Sequence, residues 1–177
     1  MDSSSGDRTL VVFVGPQGSG KSTFYRQRLE HTHILVSKDR MPYCRNKERR
    51  QMRLVEEALR AGSSVVVDNT NPTPSVREAL IRLGRVTGTK LVAYWFSSGL
   101  EDCIHRNSRR SGRFQVPPGI IAQTYHRTVR PSTEEGFDEV LEVRLDPSGS
   151  YEVYPADPCA VEDAQTPLSQ RNRRRAA

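Results

Sequence analysis

Along the chain, short unbroken apolar runs alternate with longer stretches in which apolar residues recur every third or fourth position. The runs are TLVVFV (9–14), HILVS (33–37), SVVVD (64–68), KLVAYWF (90–96) and EVLEVRL (139–145), all rich in β-branched or aromatic residues. Runs of this kind predict strands, the continuous ones buried on both faces. Between them the helical period takes over. KSTFYRQRLE (21–30) reads as a helix, and KERRQMRLVEEALRAG (47–62) places Met52, Val55 and Leu59 on one stripe with Gly62 as a stop. TPSVREALIRLGRV (73–86) puts Thr73 at a cap, Pro74 at the first helical position, and Val76, Leu80 and Leu83 at helical spacing. Helix signals resume over 100–110 and again after Pro117-Pro118. Five strands separated by helices predict an α/β domain with a mostly parallel sheet covered on both faces. Periodicity alone does not give the strand order, and no internal repeat is present.

At 177 residues the chain predicts one domain, yet its mean hydropathy of -0.65 and 35% hydrophobic content are low for a compact body. Residues 146–177, rich in breakers and nearly free of Leu and Ile, account for part of this. The predicted organisation is a flexible N-terminus (1–8), a domain over 9–145 and a mostly flexible tail over 146–177. Tyr151, Val153 and Tyr154 are the tail residues able to dock on the body.

Charge narrows the partners. There are 27 Lys and Arg against 21 Asp and Glu, and residues 1–145 hold 23 of the basic and 16 of the acidic ones. The positive field therefore belongs to the domain; it favours nucleotides or nucleic acids, although such an excess also serves solubility alone. Cys44, Cys103 and Cys159 lie far apart and form no metal-ligand pair. An odd cysteine count, with no apolar leader in MDSSSGDR, predicts a reducing compartment: cytoplasmic by default, with the RNRRR patch also compatible with a nucleus. No apolar segment reaches membrane-spanning length.

The most specific signal is GPQGSGKST. Gly15, Gly20, Lys21 and Ser22 satisfy the G-x-x-x-x-G-K-[ST] pattern between a buried strand and a helix. Gly15, Gly18 and Gly20 let the backbone curl so that amide hydrogens converge on phosphate oxygens, and the following helix adds its positive end. Lys21 reaches the terminal phosphates and the Ser22 hydroxyl suits magnesium, with Thr23 as a further hydroxyl. The predicted nucleotide site thus runs through Gly15, Pro16, Gln17, Gly18, Ser19, Gly20, Lys21, Ser22 and Thr23. Asp68, at the end of another buried strand, either organises magnesium water near the phosphates or caps the turn before Pro72. Asn69 and Asn71 suit turns.

Two further stretches bear on transfer. In SKDR (37–40), Asp39 falls on the same rim of a parallel sheet as the phosphate loop. It can accept a proton from an attacking hydroxyl, or it is an ordinary turn aspartate. Residues 103–130 contain six Arg and no acid. Arg106 and Arg110 are four apart on a predicted helix and Arg113 is three further, a spacing that directs them to one side as a movable clamp over ATP. Arg109 lies off that face. The alternative is an arginine-rich solvated helix. A switch GTPase would need an N-K-x-D stretch, which is absent, and a motor more chain; a small kinase fits best.

Taken in order, GPQGSGKSTF, SKDR, VVVDNTNP and RNSRRSGRFQVPPGIIAQTYHR resemble the kinase domain of the polynucleotide 5'-hydroxyl kinases, end-healing enzymes of the P-loop kinase superfamily, over about residues 10–143. The resemblance implies a three-layer P-loop NTPase sandwich with a mostly parallel five-stranded sheet, the strand leading into the phosphate loop at its centre, and a helical lid at about 100–130. It implies ATP as donor, Mg2+ as cofactor and 5'-OH ends of DNA or RNA as acceptor, in a monomer that works with repair partners and no membrane. Asp39 would be the general base, Arg106 and Arg110 the lid arginines, Lys21 and Ser22 the phosphate and magnesium groups, and Asp68 a supporting acid. Some members carry an arginine where Pro42 stands here, leaving Arg40 and Arg45 as substitutes for acceptor binding, beside Arg113 of the lid. Arg40, Arg45, Arg49 and Arg53 either grip a strand backbone or are solvated. Tyr125 and His126 flank the acceptor or simply pack, and Trp95 belongs to the core. The D-x-D-x-[TV] pattern of a 3'-phosphatase is absent, so that activity is not expected. Two alternatives stand beside this reading: a kinase for a small nucleoside, sugar or antibiotic-like hydroxyl, and a nucleotide-gated adaptor without catalysis.

Overall fold

The computed structural model of the protein describes residues 8–146 and 148–156, without the Arg113 side chain. The predicted flexible N-terminus, Cys159 and most of the predicted flexible tail lie outside the described residues. The elements run β1 (Thr9–Val14), α1 (Lys21–Arg28), β2 (His33–Val36), α2 (Lys47–Arg60), β3 (Ser64–Val67), α3 (Pro74–Val86), β4 (Lys90–Phe96), α4 (Leu100–Ser108), α5 (Pro118–Arg127), β5 (Glu139–Leu145) and β6 (Tyr151–Pro155). They form one sheet in the order β2-β3-β1-β4-β5-β6. The first five strands are parallel, with β1 between β3 and β4 as the resemblance implied.

Among the described residues the sheet has six strands rather than five. β6 runs antiparallel along β5, pairing Tyr151 with Leu145 and Pro155 with Leu141. The reversal is a tight turn in which the Ser150 amide donates to the Asp146 carboxylate at 2.9 Å and the Asp146 amide to the Ser150 carbonyl at 3.0 Å. Within β6 only Tyr151 is buried. One inward side chain in five residues gives almost no hydropathic signal, so the docking option for this part of the tail was the less visible one.

β1 shows why an unbroken apolar run becomes a central parallel strand. Leu10, Val12 and Val14 face one core with Val55 and Leu59 of α2 and Leu80 and Ile81 of α3. Val11 and Phe13 face the other, with Phe24 and Tyr25 of α1 and with Tyr151. Removing each such side chain from water stabilises the fold by about 1.5–3 kcal/mol before entropy is counted. The predicted α3 stripe shifts by one position: Val76 is 39% exposed and Arg77 is fully buried in its place. Arg77 is tolerated there because Glu135 accepts two hydrogen bonds from it, at 2.7 and 2.6 Å, and the carbonyls of Asn71 and Val129 accept the others. Trp95 is only partly buried, packed against the core with the Arg130 guanidinium 4.8 Å over its ring. Among the described residues no helix is long and apolar enough to cross a membrane.

Candidate active site

Because β1, β2 and β3 are parallel, the segments leaving their carboxyl ends meet on one rim. The first, Gly15–Gly20, curls around the Lys21 ammonium. Lys21 Nζ donates to the carbonyls of Gly15 at 2.8 Å and Pro16 at 2.6 Å and to Ser19 Oγ at 3.1 Å. Burial pushes its pKa down to about 8, against the opposing pull of Asp68, Cys103 and Asp39, while Arg110 lowers it further. Both carboxylates and Arg110 are thus close enough to act on one ammonium.

Two glycines of this loop are fixed by contact as well as by conformation. Gly18 has φ +81°, and a Cβ there would lie 2.2 Å from the Cys103 carbonyl oxygen. The loop is therefore packed directly on the backbone of α4, whose Arg106 donates from Nε to the Gly18 carbonyl at 2.7 Å. Gly20 has φ +99°, and a Cβ there would meet the Tyr151 hydroxyl at 2.7 Å.

The second segment is anchored to the first. Ser22 Oγ donates to Asp68 Oδ2 at 2.6 Å, and Asp68 is only 7% exposed. Hydroxyl and carboxylate oxygens are the ligand type that a hard cation would take, so this pair fits one. Among the described residues no group of three or more His, Cys, Asp and Glu could hold a metal. Asn69 and Asn71, expected only as turn residues, tie the rim together. Asn71, at φ 42° and 2% exposed, donates to the Phe13 carbonyl at 2.8 Å. Asn69 Oδ1 accepts from the Lys38 amide at 3.1 Å, and its Nδ2 donates to Gln51 Oε1 at 2.6 Å.

The third segment is a single 3-10 turn, Lys38–Arg40, with Ser37 as its cap. Asp39 is exposed there and lines a cleft of about 520 Å³ together with Gln17, Lys38, Lys47 and Arg110, beside an apolar wall that includes Val76 and Phe114. Lys38 also pairs with Glu48. Among the described residues, the basic side chains of Lys38, Lys47 and Arg110 line this cleft with one carboxylate, Asp39. Arg40 and Arg45 are exposed but do not line it, and the charge of Arg40 acts instead on the Tyr25 phenol. Lys38 and Lys47, not singled out from the sequence, take the lining positions.

The lid differs from expectation in one respect. α4 ends at Ser108, so Arg106 and Arg110 do not share a helical face. Asn107, 2% exposed, closes the helix by clasping Val116: Nδ2 donates to its carbonyl at 2.7 Å and Oδ1 accepts from its amide at 3.1 Å. The intervening chain turns outward. Arg106 stays on the phosphate loop while Arg110 reaches the Asp39 cleft. Arg109 contacts His105 at 3.1 Å, and the Arg113 side chain lies outside the described residues. Tyr125 and His126 meet edge to face, 5.5 Å apart, and do not line the cleft.

Besides Lys38 and Lys47, sequence reasoning passed over Gln51 and Asn107, which also shape the site, while Tyr151, expected only as a tail residue able to dock on the body, reaches the phosphate loop itself. Polar side chains on predicted helix faces, such as Gln51 and Asn107, carried a signal only in hindsight, since their partners are remote backbone or side-chain groups.

Comparison with known proteins gives the same picture of the domain. The AAA_33 profile, described as an AAA domain, matches residues 10–131. A protein of Acanthamoeba polyphaga mimivirus, whose name gives polynucleotide phosphatase and kinase activities, is 30% identical over 140 residues, covering 75% of this chain and 32% of that one. The bifunctional polynucleotide phosphatase/kinase of Schizosaccharomyces pombe is 29% identical over 147 residues, 81% of this chain and 35% of that one. This chain therefore spans about a third of the length of these relatives. Among solved structures, Chaetomium thermophilum Kti12 in complex with ADP-AlF3 superposes with a TM-score of 0.62 at 17% identity, covering 79% of this chain and 92% of that one. At that identity the likeness concerns the fold.

Proposed function

This chain belongs to the AAA_33 family of AAA domains and has a P-loop kinase fold, and from that premise we propose that it transfers the γ-phosphoryl of ATP to the 5'-hydroxyl of a polynucleotide. The observation that carries the reading is the cleft in which Asp39, Arg110 and Gln17 of the phosphate loop meet. A carboxylate, a guanidinium and a phosphate-binding loop around one space are the parts that in-line phosphoryl transfer needs.

In this reaction Asp39 takes the proton of the 5'-OH as its oxygen bonds to the γ-phosphorus. The bond from that phosphorus to the β,γ-bridging oxygen breaks, and the electron pair leaves with ADP. The amides of Gly15–Gly20 and the positive end of α1 hold the β- and γ-phosphates, and Lys21 exchanges its carbonyl partners for their oxygens. Arg106 sits against the donor phosphates and Arg110 against the transferred group, where each offsets charge that grows in the transition state. Ser22 and Asp68 are the residues that would hold magnesium, and its charge would supply electrophilic stabilisation to the phosphates.

The acceptor is the finer part of the reading. The two polynucleotide phosphatase/kinase relatives and the cationic cleft support a nucleic acid 5' end over a small neutral sugar. The test is transfer of radiolabel from γ-labelled ATP to 5'-OH oligonucleotides of DNA and RNA, run beside a panel of nucleosides, sugars and aminoglycosides. Labelled oligonucleotide is the expected result. Label confined to a small molecule would overturn the proposed acceptor while leaving a kinase.

A further inference from the structure

One aromatic side chain is exposed in the cleft and a second lies beside one of its lining residues. Phe114, on the lid turn Gly112–Phe114, lines the cleft and is 54% exposed. Tyr43, next to the cleft residue Pro42, is 97% exposed. Tyr43 is not on a loose segment: Met41 before it is buried in the core and Cys44 after it packs against that core. A tyrosine held almost wholly in water by two anchored neighbours leaves about 150 Å² or more of ring surface to cover.

The surrounding charge says with what. Residues 38–53 carry seven basic side chains and two acidic ones. One of those acids, Glu48, is engaged by Lys38, and the other is Asp39 itself. Arg45, Arg49 and Arg50 are exposed. Exposed rings set in a cationic field match a chain of alternating bases and phosphates. An acidic peptide would satisfy the charge but offers no reason for the flat rings.

We propose that the acceptor is taken as an unpaired strand, with nucleobases stacked on Phe114 and Tyr43 and its phosphates along the basic segment 38–53, so that single-stranded 5' ends are preferred to blunt duplex ends. This rests on the polynucleotide reading above. Internal base pairs present their faces only to their neighbours in the stack and a blunt end offers one outer face, so a blunt duplex cannot cover both rings without opening.

The experiment measures binding of a fluorescein-labelled 12-nucleotide 5'-OH strand, single-stranded or as blunt duplex, by anisotropy in the presence of a non-hydrolysable ATP analogue. Tyr43→Ala and Phe114→Ala should each weaken single-strand binding roughly 5- to 150-fold, and Tyr43→Phe should restore it. Binding to blunt duplex and to the ATP analogue should stay unchanged. Salt separates stacking from charge: Tyr43→Ala should lower affinity at every salt concentration without altering the slope, whereas Arg45→Ala should reduce the slope by about 0.7. Single-strand binding within twofold of wild type in both alanine variants would overturn the proposal, as would equal losses on single strand and duplex. Loss of binding to an acidic peptide, with strand binding intact, would make the surface a protein contact and likewise overturn it. If wild type labels oligonucleotides and the rings prove silent, only this proposal falls. If wild type binds ATP but labels no oligonucleotide, the polynucleotide reading falls and takes this with it.

Discussion

The Tyr151 hydroxyl donates to the Gly20 carbonyl at 2.8 Å, joining the last strand of the sheet to the phosphate loop 131 residues earlier. The ring also packs edge-on against Phe24 at 5.3 Å, and Arg28 donates back to the Tyr151 carbonyl at 3.3 Å. Because Gly20 is the residue from which α1 starts, this contact sets where the positive end of that helix lies. Tyr151→Phe should lower unfolding stability by about 1 kcal/mol and weaken ATP binding several-fold. Tyr151→Ala, which also empties the space beside Phe24, should cost about 3 kcal/mol. Urea unfolding and calorimetric titration with ATP check both.

Lys21 makes ATP binding pH-dependent. Its pKa in the ligand-free protein is about 8, lowered mainly by burial. Above that pH the side chain is increasingly neutral, and binding a polyphosphate must take up a proton. The apparent Kd for ATP should therefore rise above pH 8, towards tenfold per pH unit. Titrations at pH 8.5 in buffers of different ionisation enthalpy should show proton uptake. For folding the sign is opposite: the burden of burying a charged Lys21 is full below pH 8 and is relieved between pH 8 and 10.5.

Gly18 and Gly62 both have positive φ, but only Gly18 is crowded; nothing lies within 4 Å of a Cβ built at Gly62. Gly62→Ala should cost about 1 kcal/mol from backbone strain alone. Gly18→Ala adds the collision with the Cys103 carbonyl, worth about 1–3 kcal/mol more, and should displace Arg106 from the loop. The difference between their denaturation midpoints, with ATP affinity lost only in Gly18→Ala, is the measurement.

The buried Arg77–Glu135 pair supports the cleft from behind, since Arg77 also holds the Asn71 carbonyl. Arg77→Ala should destabilise the protein by about 3–5 kcal/mol, because Glu135 is left without its partner. Exchanging both residues together, as Arg77→Met with Glu135→Leu, should recover most of that loss in urea unfolding.

Much of this molecule was legible in its residues, for identifiable reasons. β1, β4 and β5 begin and end where their apolar runs do, because strands buried in a sheet tolerate few polar residues. α3 starts at Pro74, as its cap pattern required. Lys21, Ser22 and Gly18 could be placed because a phosphate loop is a local structure. What escaped depended on remote contacts. β6 buries one side chain, Asn107 ends α4 by bonding nine residues ahead, and Asn69 and Gln51 hold the Asp39 turn across three elements. The helical spacing of Arg106 and Arg110 was a sound local inference that this clasp overrode.

The central claim is that Asp39 removes the proton from a strand's hydroxyl. Its most direct test is the single-turnover rate of phosphoryl transfer from ATP to a 5'-OH oligonucleotide by Asp39→Ala, with ATP affinity measured on the same preparation. The account predicts ATP binding close to wild type and a transfer rate lower by about 10²- to 10⁴-fold. Transfer at the wild-type rate with Asp39 absent would contradict it.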